Sequence, residues 1–530
     1  MRSLMTQSSR SFLPNPFAYQ VSTAMLTDGY HFTTPPLFLR FMSDPERWDV
    51  ANLVLRGDVE KETYTIIAGL WELLSRLENW VIDETVITAM REKNIPEEMI
   101  NQMKGRRFEG RIYAVRDGEV LFPGPVMRVE GPKWQVKWIE SVFTNHLRRC
   151  SSVATKAARV CTVVPDHHLK LDAAFRRAND TDGVWAARAA YLAGFSGTSN
   201  VLAGQMFNIP WGGTVDHYTM QSLMQEYFER NPDIEVTEES QREAQRFAFR
   251  CVIEVYPENY ALLIDTISFE AGLEDAITVL LELRPKNYTL RQDSGDLAIC
   301  SKEMRRRLDN AGLTDVKIAP SGGLSALTVK SLLDQGAEGD NWQFGEYFLF
   351  NGERSREGAT ISEPPVNIQM VQKYGGTSDG SYESIKLSEN PAKNSLPGRQ
   401  QRIRLLTDGN MFDGDIVINE NQYSLPCGET LTRVIRSVRR GKPAKSKTVK
   451  FGTKFYLPMQ LVFEGGLFIA HDLYTLEESR KFHAQQMERL PDQYKRVDGS
   501  HAIYGVGIEK ELDMRAYSMG VDQIIIHKNT

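Results

Sequence analysis

The chain has 530 residues, of which 41% are hydrophobic and 25% charged, which is ordinary for a globular protein and leaves room for about two to four domains. A formal net charge of -6 gives no overall positive field, so no nucleic-acid partner and no membrane partner is expected. The five cysteines are scattered without metal-ligand spacing, and no apolar run approaches the ~18 residues that span a bilayer, which together favour a cytoplasmic protein with reduced thiols.

The N-terminal third of the chain changes character several times. The first 25 residues lack acidic residues, as transit peptides do, but contain only two arginines, so residues 1–24 are predicted to be a flexible arm. Leucines at helical spacing predict a helix around Thr65–Val81. Short apolar runs separated by glycine and proline predict hairpin strands over residues 106–130, and a long helical segment follows from Lys133 to Cys161.

Short apolar strands alternate with amphipathic helices between residues 166 and 350. The predicted strands are Ala261–Ile264, Tyr288–Gln292, Val316–Ala319 and Trp342–Phe344, and the predicted helices are Leu273–Leu283, Glu303–Leu313 and Ser325–Gln335. Repeated strand–helix units at this spacing predict a parallel sheet or barrel, with polar or glycine residues where each strand ends.

The C-terminal third is less regular. Residues 370–400 are rich in glycine, serine and asparagine and are predicted to form a surface loop. The strongly basic segment Arg433–Lys450 is interpreted as a solvated loop, with a role in anion binding as the less favoured alternative. A helix is predicted over Thr475–Leu490.

Two strand ends carry charged side chains that suit a sugar phosphate or a divalent cation. Arg291 and Asp293 are two positions apart, so on a continuing strand they point to the same face. Asp265 ends a neighbouring predicted strand, and two carboxylates there can orient a ribose diol or hold Mg²⁺ through waters. An ordinary surface ion pair and a pair of helix-capping aspartates are the alternative interpretations.

Three further features suggest binding or transfer of phosphate. Gly322 and Gly323 lie in a strand-to-helix turn, where backbone N–H groups can approach a phosphate. His217 follows a turn of small residues and can accept a phosphoryl group or act as an acid or base, although a structural role is common for such a histidine. Lys156 and Arg159 present two cations about one helical turn apart, for which a solvated basic face is the simpler interpretation.

The order of the motifs resembles that of the nicotinate phosphoribosyltransferase family over nearly the whole chain. The segments with the family's pattern are LTDGY at residues 26–30, FEG at 108–110, DGE at 117–119, TKAAR at 155–159, GFSGTSNVLAG at 194–204, GTVDH at 213–217, LIDT at 263–266, RQDSGDL at 291–297, KLS at 386–388, PG at 397–398 and LP at 490–491. Those at 194–204 and 291–297 are the most specific.

The resemblance implies a particular fold and division of the chain. The fold class is α/β, a type II phosphoribosyltransferase-like α/β barrel with an N-terminal α/β domain and a C-terminal extension. Residues 25–165, completed by 366–415, would form the N-terminal domain, 166–365 the barrel and 416–530 the C-terminal α/β extension.

The resemblance also implies an activity. The family joins nicotinate to 5-phosphoribosyl-1-pyrophosphate (PRPP), giving nicotinate mononucleotide and pyrophosphate in NAD salvage, with Mg²⁺ as cofactor and ATP as co-substrate. In the family, ATP hydrolysis runs through a phosphohistidine, which here would be His217. The resemblance also implies a homodimer with shared active sites, in which Tyr30 would stack on the pyridine ring across the interface. Asp265 and Asp293 would hold the ribose and, indirectly, Mg²⁺. The other implied substrate-binding residues are Lys156, Arg159, Arg177, Ser199, Arg291, Gly322 and Gly323.

One residue bears on the choice between acid and amide. Ser199 stands where nicotinamide-using relatives carry an aspartate, and a neutral hydroxyl tolerates a substrate carboxylate that an aspartate would repel. Nicotinic acid is therefore the favoured substrate.

Three positions depart from the family pattern. Alignment on the arginines of residues 172–178 puts Ala173 where the family has an aromatic residue, and Phe175 takes that place only if the loop shifts register. Glu346 stands in the second phosphate loop and would repel a phosphate, while Asp216, next to the histidine, would alter its protonation.

Three hypotheses remain open on the sequence. The first is an active but divergent nicotinate phosphoribosyltransferase, and the second is a nicotinamide-using enzyme. The third is a catalytically inactive relative that binds a nucleotide or a protein partner, suggested by Ala173 and Glu346. The retained His217 and strand-end carboxylates favour the first.

Overall fold

The structure, a computed structural model, describes residues 22–56, 64–345, 353–354, 360–361, 366–377, 383–384, 396–420, 434–437, 446–449, 453–500, 502–509, 512 and 514–516. These residues belong to two compact units. The first unit combines the chain before Lys156 with the chain after Glu363, and the second runs from Lys156 to Glu363. Residues from 416 onward, predicted as a C-terminal extension, lie in the first unit.

The N-terminal part of the first unit mixes short helices with strands. Its elements are α1 Gly29–Thr33, α2 Pro35–Phe41, β1 Trp48–Arg56, β2 Thr65–Ile66, α3 Leu70–Leu77, α4 Glu84–Glu92, α5 Glu97–Met103, β3 Arg111–Ala114, β4 Val120–Leu121, β5 Gly124–Pro132, α6 Lys133–Trp138 and α7 Glu140–Val163. The last of these helices continues into the second unit.

The second unit alternates strands and helices. Its elements are β6 Leu169–Asp172, α8 Asp180–Leu192, β7 Gly197–Thr198, α9 Val201–Phe207, α10 His217–Arg230, α11 Glu238–Val255, β8 Ala261–Leu263, α12 Phe269–Leu283, β9 Thr289–Gln292, α13 Leu297–Asn310, β10 Lys317–Pro320, α14 Ala326–Asp334, β11 Asn341–Phe344, β12 Glu353–Arg354 and β13 Thr360–Ile361.

The chain after residue 363 is mainly β structure. Its elements are β14 Asn367–Thr377, β15 Glu383–Ser384, β16 Gln400–Leu406, β17 Phe412–Asn419, β18 Val434–Ser437, β19 Ser446–Thr448, β20 Lys454–Tyr456, β21 Gln460–Glu464, β22 Leu467–Phe468, α15 Leu476–Arg489 and β23 Val506–Glu509. They complete a seven-stranded sheet of order β15-β14-β1-β5-β3-β21-β22 and form a six-stranded sheet of order β19-β18-β23-β17-β16-β20.

The core of the first unit packs helices against the seven-stranded sheet. Trp80, Trp134 and Trp138 are each at most 1% exposed, and their ring centroids lie 6.0–6.4 Å apart. Indole rings of this size remove a large apolar area from water, and tilted or edge-on contacts suit their quadrupoles. The indole of Trp138 donates its N–H to the carbonyl of Ala24 at 2.7 Å, which fixes the start of the described chain to this core.

That contact changes the interpretation of the predicted N-terminal arm. Residues 1–21 lie outside the described residues. Within the predicted arm, Thr23 begins a short 3₁₀ helix that ends at Met25, and Ser22 and Ala24 are buried. The Ser22 hydroxyl donates to the carbonyl of Val81 at 2.5 Å, so residues 22–24 are part of the first unit.

The predicted helix Thr65–Val81 is shorter in the structure. Residues 65–66 form β2, which pairs with β4, and helix α3 begins only at Leu70. Gly69 has φ of +99°, a left-handed conformation that stops the helix from extending backwards. The carboxylate of Asp117, distant in sequence, accepts the N–H groups of Leu70 and Trp71 and so caps the helix.

The predicted long helix after Lys133 is divided in two. Helix α6 ends at Trp138, Ile139 is its C-cap, and α7 begins at Glu140. The predicted hairpin region contains β3, β4 and β5, as expected, and the helix predicted over Thr475–Leu490 is confirmed as α15. Thr475 caps α15 with its side-chain oxygen.

The prediction of a surface loop over residues 370–400 is wrong for its first part. Strand β14 occupies 367–377 and pairs antiparallel with β1, with Arg56 opposite Asn367 and Asp49 opposite Thr377. Backbone pairing with a distant strand supplies hydrogen bonds that local composition does not reveal. In the basic segment predicted as a loop, β18 and β19 form an antiparallel pair, and the remaining residues of the segment, apart from Val449, lie outside the described residues.

The predicted parallel strands of the second unit are confirmed. One three-stranded parallel sheet has the order β10-β9-β8, and another has the order β11-β6-β7. The N–H of Asp340, the residue just before β11, donates to the carbonyl of Ile318 in β10 at 2.8 Å. The start of β11 therefore lies beside β10. The α/β class is therefore confirmed, and closure of these strands into a barrel stays a prediction.

Helices α12 and α13 begin four and six residues before their predicted starts, at Phe269 and Leu297, whereas α14 begins at Ala326, one residue after its predicted start. An N-cap side chain sets the start of each helix. Ser268 caps α12, Asp296 caps α13 and Ser325 caps α14. Each cap lies a few residues after the end of a strand. The chain between strand end and cap is therefore short, and its polar side chains are held at one edge of the sheet.

Among the described residues, none of the helices is both long enough and apolar enough to cross a membrane.

Candidate active site at the strand ends of the second unit

Parallel pairing brings three strand ends to one edge of the sheet. Arg291 in β9 lies opposite Leu263 of β8 and Ala319 of β10. The N–H of Ile264 also donates to the carbonyl of Arg291 at 3.2 Å. The residues that follow these strands therefore lie side by side at the carboxyl edge, where α/β-barrel enzymes place their catalytic groups.

The two predicted carboxylates meet there. Oδ2 of Asp265 accepts the backbone N–H of Asp293 at 3.0 Å and the hydroxyl of Ser294 at 2.6 Å. Its Oδ1 is buried and has no hydrogen-bond partner among the described residues. The helices that follow are capped by Ser268 and Asp296, so the interpretation of these two aspartates as helix caps is excluded.

Arg291 is held by three side chains. Its Nε donates to the hydroxyl of Ser321 at 3.1 Å, and its Nη1 donates to the hydroxyl of Thr214 at 3.0 Å. Its Nη2 lies 3.0 Å from Oδ1 of Asp293, and the guanidinium is only 15% exposed. This arginine is fixed in orientation, unlike an ordinary surface ion pair, whose side chains are mobile.

The ionisation of Asp293 follows from the same contacts. Burial raises the pKa of Asp293, but the Ser321 hydroxyl, 2.6 Å from Oδ1, and the charge of Arg291 outweigh burial and lower it below its ordinary value. The carboxylate therefore stays ionised at neutral pH. It can balance positive charge on a ligand.

His217 is the first residue of α10, and its ring lies near the carboxylate of Asp265. Its Nδ1 lies 3.2 Å from the hydroxyl oxygen of Thr266, and its Nε2 lies 3.9 Å from Oδ1 of Asp265. The side chain is 44% exposed, so a ligand can reach the ring. A histidine placed only for packing would be buried, and the exposure of this one favours a functional role.

Asp216 has a local role that differs from the one predicted. Its carboxylate accepts the backbone N–H of Thr219 at 2.9 Å and the Thr219 hydroxyl at 3.1 Å, so it is the N-cap of α10. The hydrogen bond from the Thr219 backbone lowers the pKa of Asp216, with the charge of His217 as its smallest contribution. This departure from the family pattern is explained as a helix cap.

The glycine turn after β10 touches the same cluster. Gly322 has φ of +93°, and a Cβ built there would lie 2.7 Å from the carbonyl oxygen of Asp293. Gly323 has φ of +64° and open space around the same position. The close approach makes a side chain at Gly322 incompatible with this arrangement, and the turn leads into α14, whose first residue is Ala326.

The second parallel sheet carries another strand-end carboxylate, Asp172, which sequence analysis missed. Its Oδ2 accepts the hydroxyl of Thr198 at 2.7 Å, and its Oδ1 accepts the N–H of Ala174 at 3.0 Å. Burial raises the pKa of Asp172 to about 6, although both hydrogen bonds lower it. The backbone carbonyl of Asp172 accepts the N–H of Ser199, so this carboxylate shapes the turn in which exposed Ser199 lies.

The segment that lacks the family's aromatic residue also lies after β6. Ala173 donates its N–H to the carbonyl of Phe344 at 2.7 Å, in line with the sheet. Phe175 is 45% exposed, and a Cβ built on Gly183 would lie 2.7 Å from its ring, so Phe175 packs against α8. Arg177 is exposed at the end of the same 3₁₀ turn, and Glu346 lies outside the described residues.

Tyr30, Lys156 and Arg159 are the remaining predicted site residues. Tyr30, in the first unit, is 54% exposed, and the ammonium of Lys137 lies 4.7 Å from its ring centroid. Lys156 is only 4% exposed and Arg159 is half-buried, which excludes the interpretation of these two cations as a solvated basic face.

The hydroxyl groups of the site were not among the residues predicted from the sequence. The hydroxyls of Thr214, Thr266, Ser294 and Ser321 contact Arg291, His217, Asp265 and Asp293 of the strand-end cluster. Each lies within three residues of a predicted site residue, so adjacency in sequence was the available signal. Only the fold shows which neighbour each hydroxyl contacts.

The carboxylates of Asp265 and Asp293 suit a divalent cation whose remaining ligands are waters and substrate phosphates. Asp265 has a buried oxygen without a hydrogen bond, and Asp293 is ionised beside it. Mg²⁺ is commonly held by one or two carboxylates together with waters and substrate phosphates. No cluster of three or more His, Cys, Asp or Glu side chains suited to a metal occurs in the described part of the chain, and the indirect binding of Mg²⁺ stays a prediction.

Comparison with known proteins agrees with the geometry. A family model for the nicotinate phosphoribosyltransferase (NAPRTase) N-terminal domain matches residues 25–148. The nicotinate phosphoribosyltransferase of Bacillus subtilis (strain 168) is 30% identical over 460 residues, which cover 85% of this chain and 86% of that protein. Nicotinate phosphoribosyltransferase 2 of Arabidopsis thaliana is 28% identical over 454 residues, covering 77% of this chain and 79% of that protein.

Solved structures share the fold. The crystal structure of human nicotinic acid phosphoribosyltransferase superposes with a TM-score of 0.72 at 20% identity, covering 93% of this chain and 99% of that one. The nicotinate-nucleotide pyrophosphorylase of Pyrococcus furiosus gives a TM-score of 0.57 at 17% identity, covering 88% and 96%. These two likenesses show a shared fold. This chain belongs to the nicotinate phosphoribosyltransferase family, as the Bacillus subtilis relative shows, and it is an enzyme of this type.

Proposed function

We propose that this enzyme joins nicotinate to PRPP, forming nicotinate mononucleotide and pyrophosphate in NAD salvage, and that ATP hydrolysis through a phosphohistidine at His217 drives the reaction. The observation that carries the proposal is the cluster of Arg291, Asp265 and Asp293 at one edge of the parallel sheet, with His217 beside it. The relatives named as nicotinate phosphoribosyltransferases support the reaction.

Departure of pyrophosphate from the anomeric carbon leaves positive charge on the ribose ring. The carboxylates of Asp265 and Asp293 would stabilise that charge and hold the sugar hydroxyls. Arg291, held at three points, would bind an anionic part of the substrates without moving during the reaction. The turn at Gly322 and Gly323 would bind the 5-phosphate through backbone N–H groups.

The residues at this edge would also hold the cation. Asp265, with its open Oδ1, and Asp293 would bind Mg²⁺ through waters and the phosphates of PRPP. Bound there, Mg²⁺ would offset the negative charge of the departing pyrophosphate. The pyridine nitrogen is already nucleophilic, so the protein has only to align it and exclude water.

The turn that contains Ser199 would select nicotinate over nicotinamide. The side chain is exposed and uncharged, and the backbone of this residue is fixed by Asp172. A substrate carboxylate placed near Ser199 meets no repulsion, whereas an aspartate at this position would repel it. We expect nicotinate to be preferred over nicotinamide for this reason.

The active enzyme is proposed to be a homodimer with shared sites, with a second copy covering the first two helices of the first unit. Tyr30, Leu37 and Phe41 are 54%, 53% and 75% exposed there, close together in sequence. Phe41→Asp should give monomers of low activity by light scattering and assay. Val236→Asp, at a residue 66% exposed in the second unit, is the matched control and should leave the dimer intact. A fully active wild-type monomer would refute the shared site.

A cytoplasmic location is also proposed. Within the described residues, Cys150, Cys161, Cys251 and Cys300 form no disulfide bond, as is usual for proteins of a reducing compartment.

The decisive experiment is formation of nicotinate mononucleotide from nicotinate, PRPP and Mg²⁺, with and without ATP, beside a nicotinamide control. His217→Ala should lose the stimulation by ATP. His167→Ala is the matched control, because His167 is exposed and precedes β6, at the amino end of the strands. Stimulation of the His167→Ala variant by ATP should equal that of the wild type.

Each result discriminates between the hypotheses. Product from nicotinate, stimulated by ATP only when His217 is present, supports the proposal. Product mainly from nicotinamide would identify an amide-using enzyme. Absence of product from either base, with the protein folded, would identify a relative that has lost its activity.

A further inference from the structure

The two nitrogens of the His217 ring have different surroundings. Nδ1 lies 3.2 Å from the hydroxyl oxygen of Thr266, within hydrogen-bonding distance. Nε2 lies 3.9 Å from the nearest carboxylate oxygen, Oδ1 of Asp265, which is beyond that distance. Nδ1 therefore has a hydrogen-bond partner in the protein, whereas Nε2 makes no hydrogen bond to the described residues.

Thr266 is well placed to fix the ring because its own position is fixed. It directly follows Asp265, whose Oδ2 accepts two hydrogen bonds from the β9 side of the cluster. A β-branched threonine has few side-chain conformations, so its hydroxyl is held at Nδ1. Nothing in the arrangement holds Nε2 in the same way.

We infer that Thr266 is a positioning residue for His217, whose hydroxyl holds Nδ1 so that Nε2 accepts the phosphoryl group of ATP. The inference rests on the proposed ATP coupling. A phosphoryl group on Nδ1 would have to displace the Thr266 hydroxyl, whereas one on Nε2 would break no hydrogen bond to the described residues. Nε2 can attack only when it carries no proton, and Thr266 accepting from Nδ1–H favours that tautomer.

The transfer balances with these groups. The lone pair on Nε2 forms a bond to the terminal phosphorus of ATP, the bond from that phosphorus to the bridging oxygen breaks, and ADP leaves with the electron pair. The proton on Nδ1 stays hydrogen-bonded to Thr266. Attack of water on the phosphorus later releases inorganic phosphate, returns the electron pair to Nε2 and gives the water proton to solvent.

The test compares Thr266→Val, which keeps the shape but has no hydroxyl, with Thr266→Ser, which keeps the hydroxyl. The full-length enzyme and both variants are phosphorylated by ATP, and separately by phosphoramidate, a chemical donor that needs no catalytic activity. Antibodies that distinguish the two phosphohistidine isomers then report which nitrogen carries the group, with His217→Ala as the blank.

The wild type and Thr266→Ser should carry phosphate on Nε2 with both donors. Thr266→Val should give a mixture of isomers and lose about tenfold in the ATP-stimulated rate, the size expected for one hydrogen bond. A merely structural role would change stability and leave the isomer unchanged.

Phosphate on Nδ1 in the wild type, or a Thr266→Val variant equal to the wild type in isomer and rate, would overturn the inference. Labelling of Nε2 by phosphoramidate with none by ATP would refute the ATP coupling and still support Thr266 as the residue that holds Nδ1. Failure of the proposed function and failure of this inference are thereby separated.

Discussion

Replacement of Gly322 by alanine tests whether the glycine turn supports the strand-end carboxylates. Gly322 has φ of +93°, and a new Cβ would lie 2.7 Å from the carbonyl oxygen of Asp293. Heavy atoms of this kind do not approach so closely, so the backbone at Asp293 must shift. That shift would move a carboxylate held by Arg291 and Ser321.

Gly323→Ala is the matched control for the magnitude. Gly323 also has positive φ, +64°, but a Cβ there meets no atom within 4 Å. Left-handed backbone alone costs an L-residue roughly 1–2 kcal/mol, so Gly323→Ala should lose about that much stability. Gly322→Ala carries similar strain plus the displacement of Asp293, and should lose roughly 2–4 kcal/mol.

The assay separates this stability effect from the effect on the site. Steady-state kinetics with PRPP as the varied substrate should show kcat/KM about tenfold or more lower in Gly322→Ala, since each 1.36 kcal/mol of lost transition-state binding is a factor of ten. Gly323→Ala should lose less. Equal activity and equal melting temperature for the two variants would refute the idea that Gly322 supports Asp293.

Other predictions follow from contacts of single residues. Burial raises the pKa of the Asp172 carboxyl from 3.8 to about 6, so the free energy of unfolding of the wild type should fall by roughly 3 kcal/mol as pH rises through 6. Asp172→Asn removes this carboxyl, so the variant should gain stability relative to the wild type between pH 4 and pH 8. Parallel pH profiles of the two proteins in denaturant unfolding would contradict this. Asp216→Ala removes the N-cap of α10 and should cost ~1 kcal/mol in thermal unfolding, whereas Asp216→Asn should stay near wild type. Arg291→Lys should raise the KM for PRPP about tenfold, since an ammonium cannot reach the three partners of this guanidinium together, and an unchanged KM would argue against a fixed anion site.

Local signals were sufficient where an element is defined by its own residues. The strands Thr289–Gln292 and Lys317–Pro320 were recognisable as apolar runs that end in polar or glycine residues. Local signals failed where a distant segment decides. Strand β14 forms because β1 pairs with it, and helix α3 starts at Leu70 because Asp117 caps it there. Neither partner is near in sequence.

The sequence alone determined the chemistry available to the site. The types and spacing of Arg291, Asp293, Asp265 and His217 suggested a phosphorylated sugar and a cation, and the motif order indicated the family. Only the tertiary structure decided which groups meet, because parallel pairing sets three strand ends side by side. It gave Asp216 a capping role and brought Thr266 to Nδ1 of His217, since a short side chain binds whichever group the fold places within hydrogen-bonding distance.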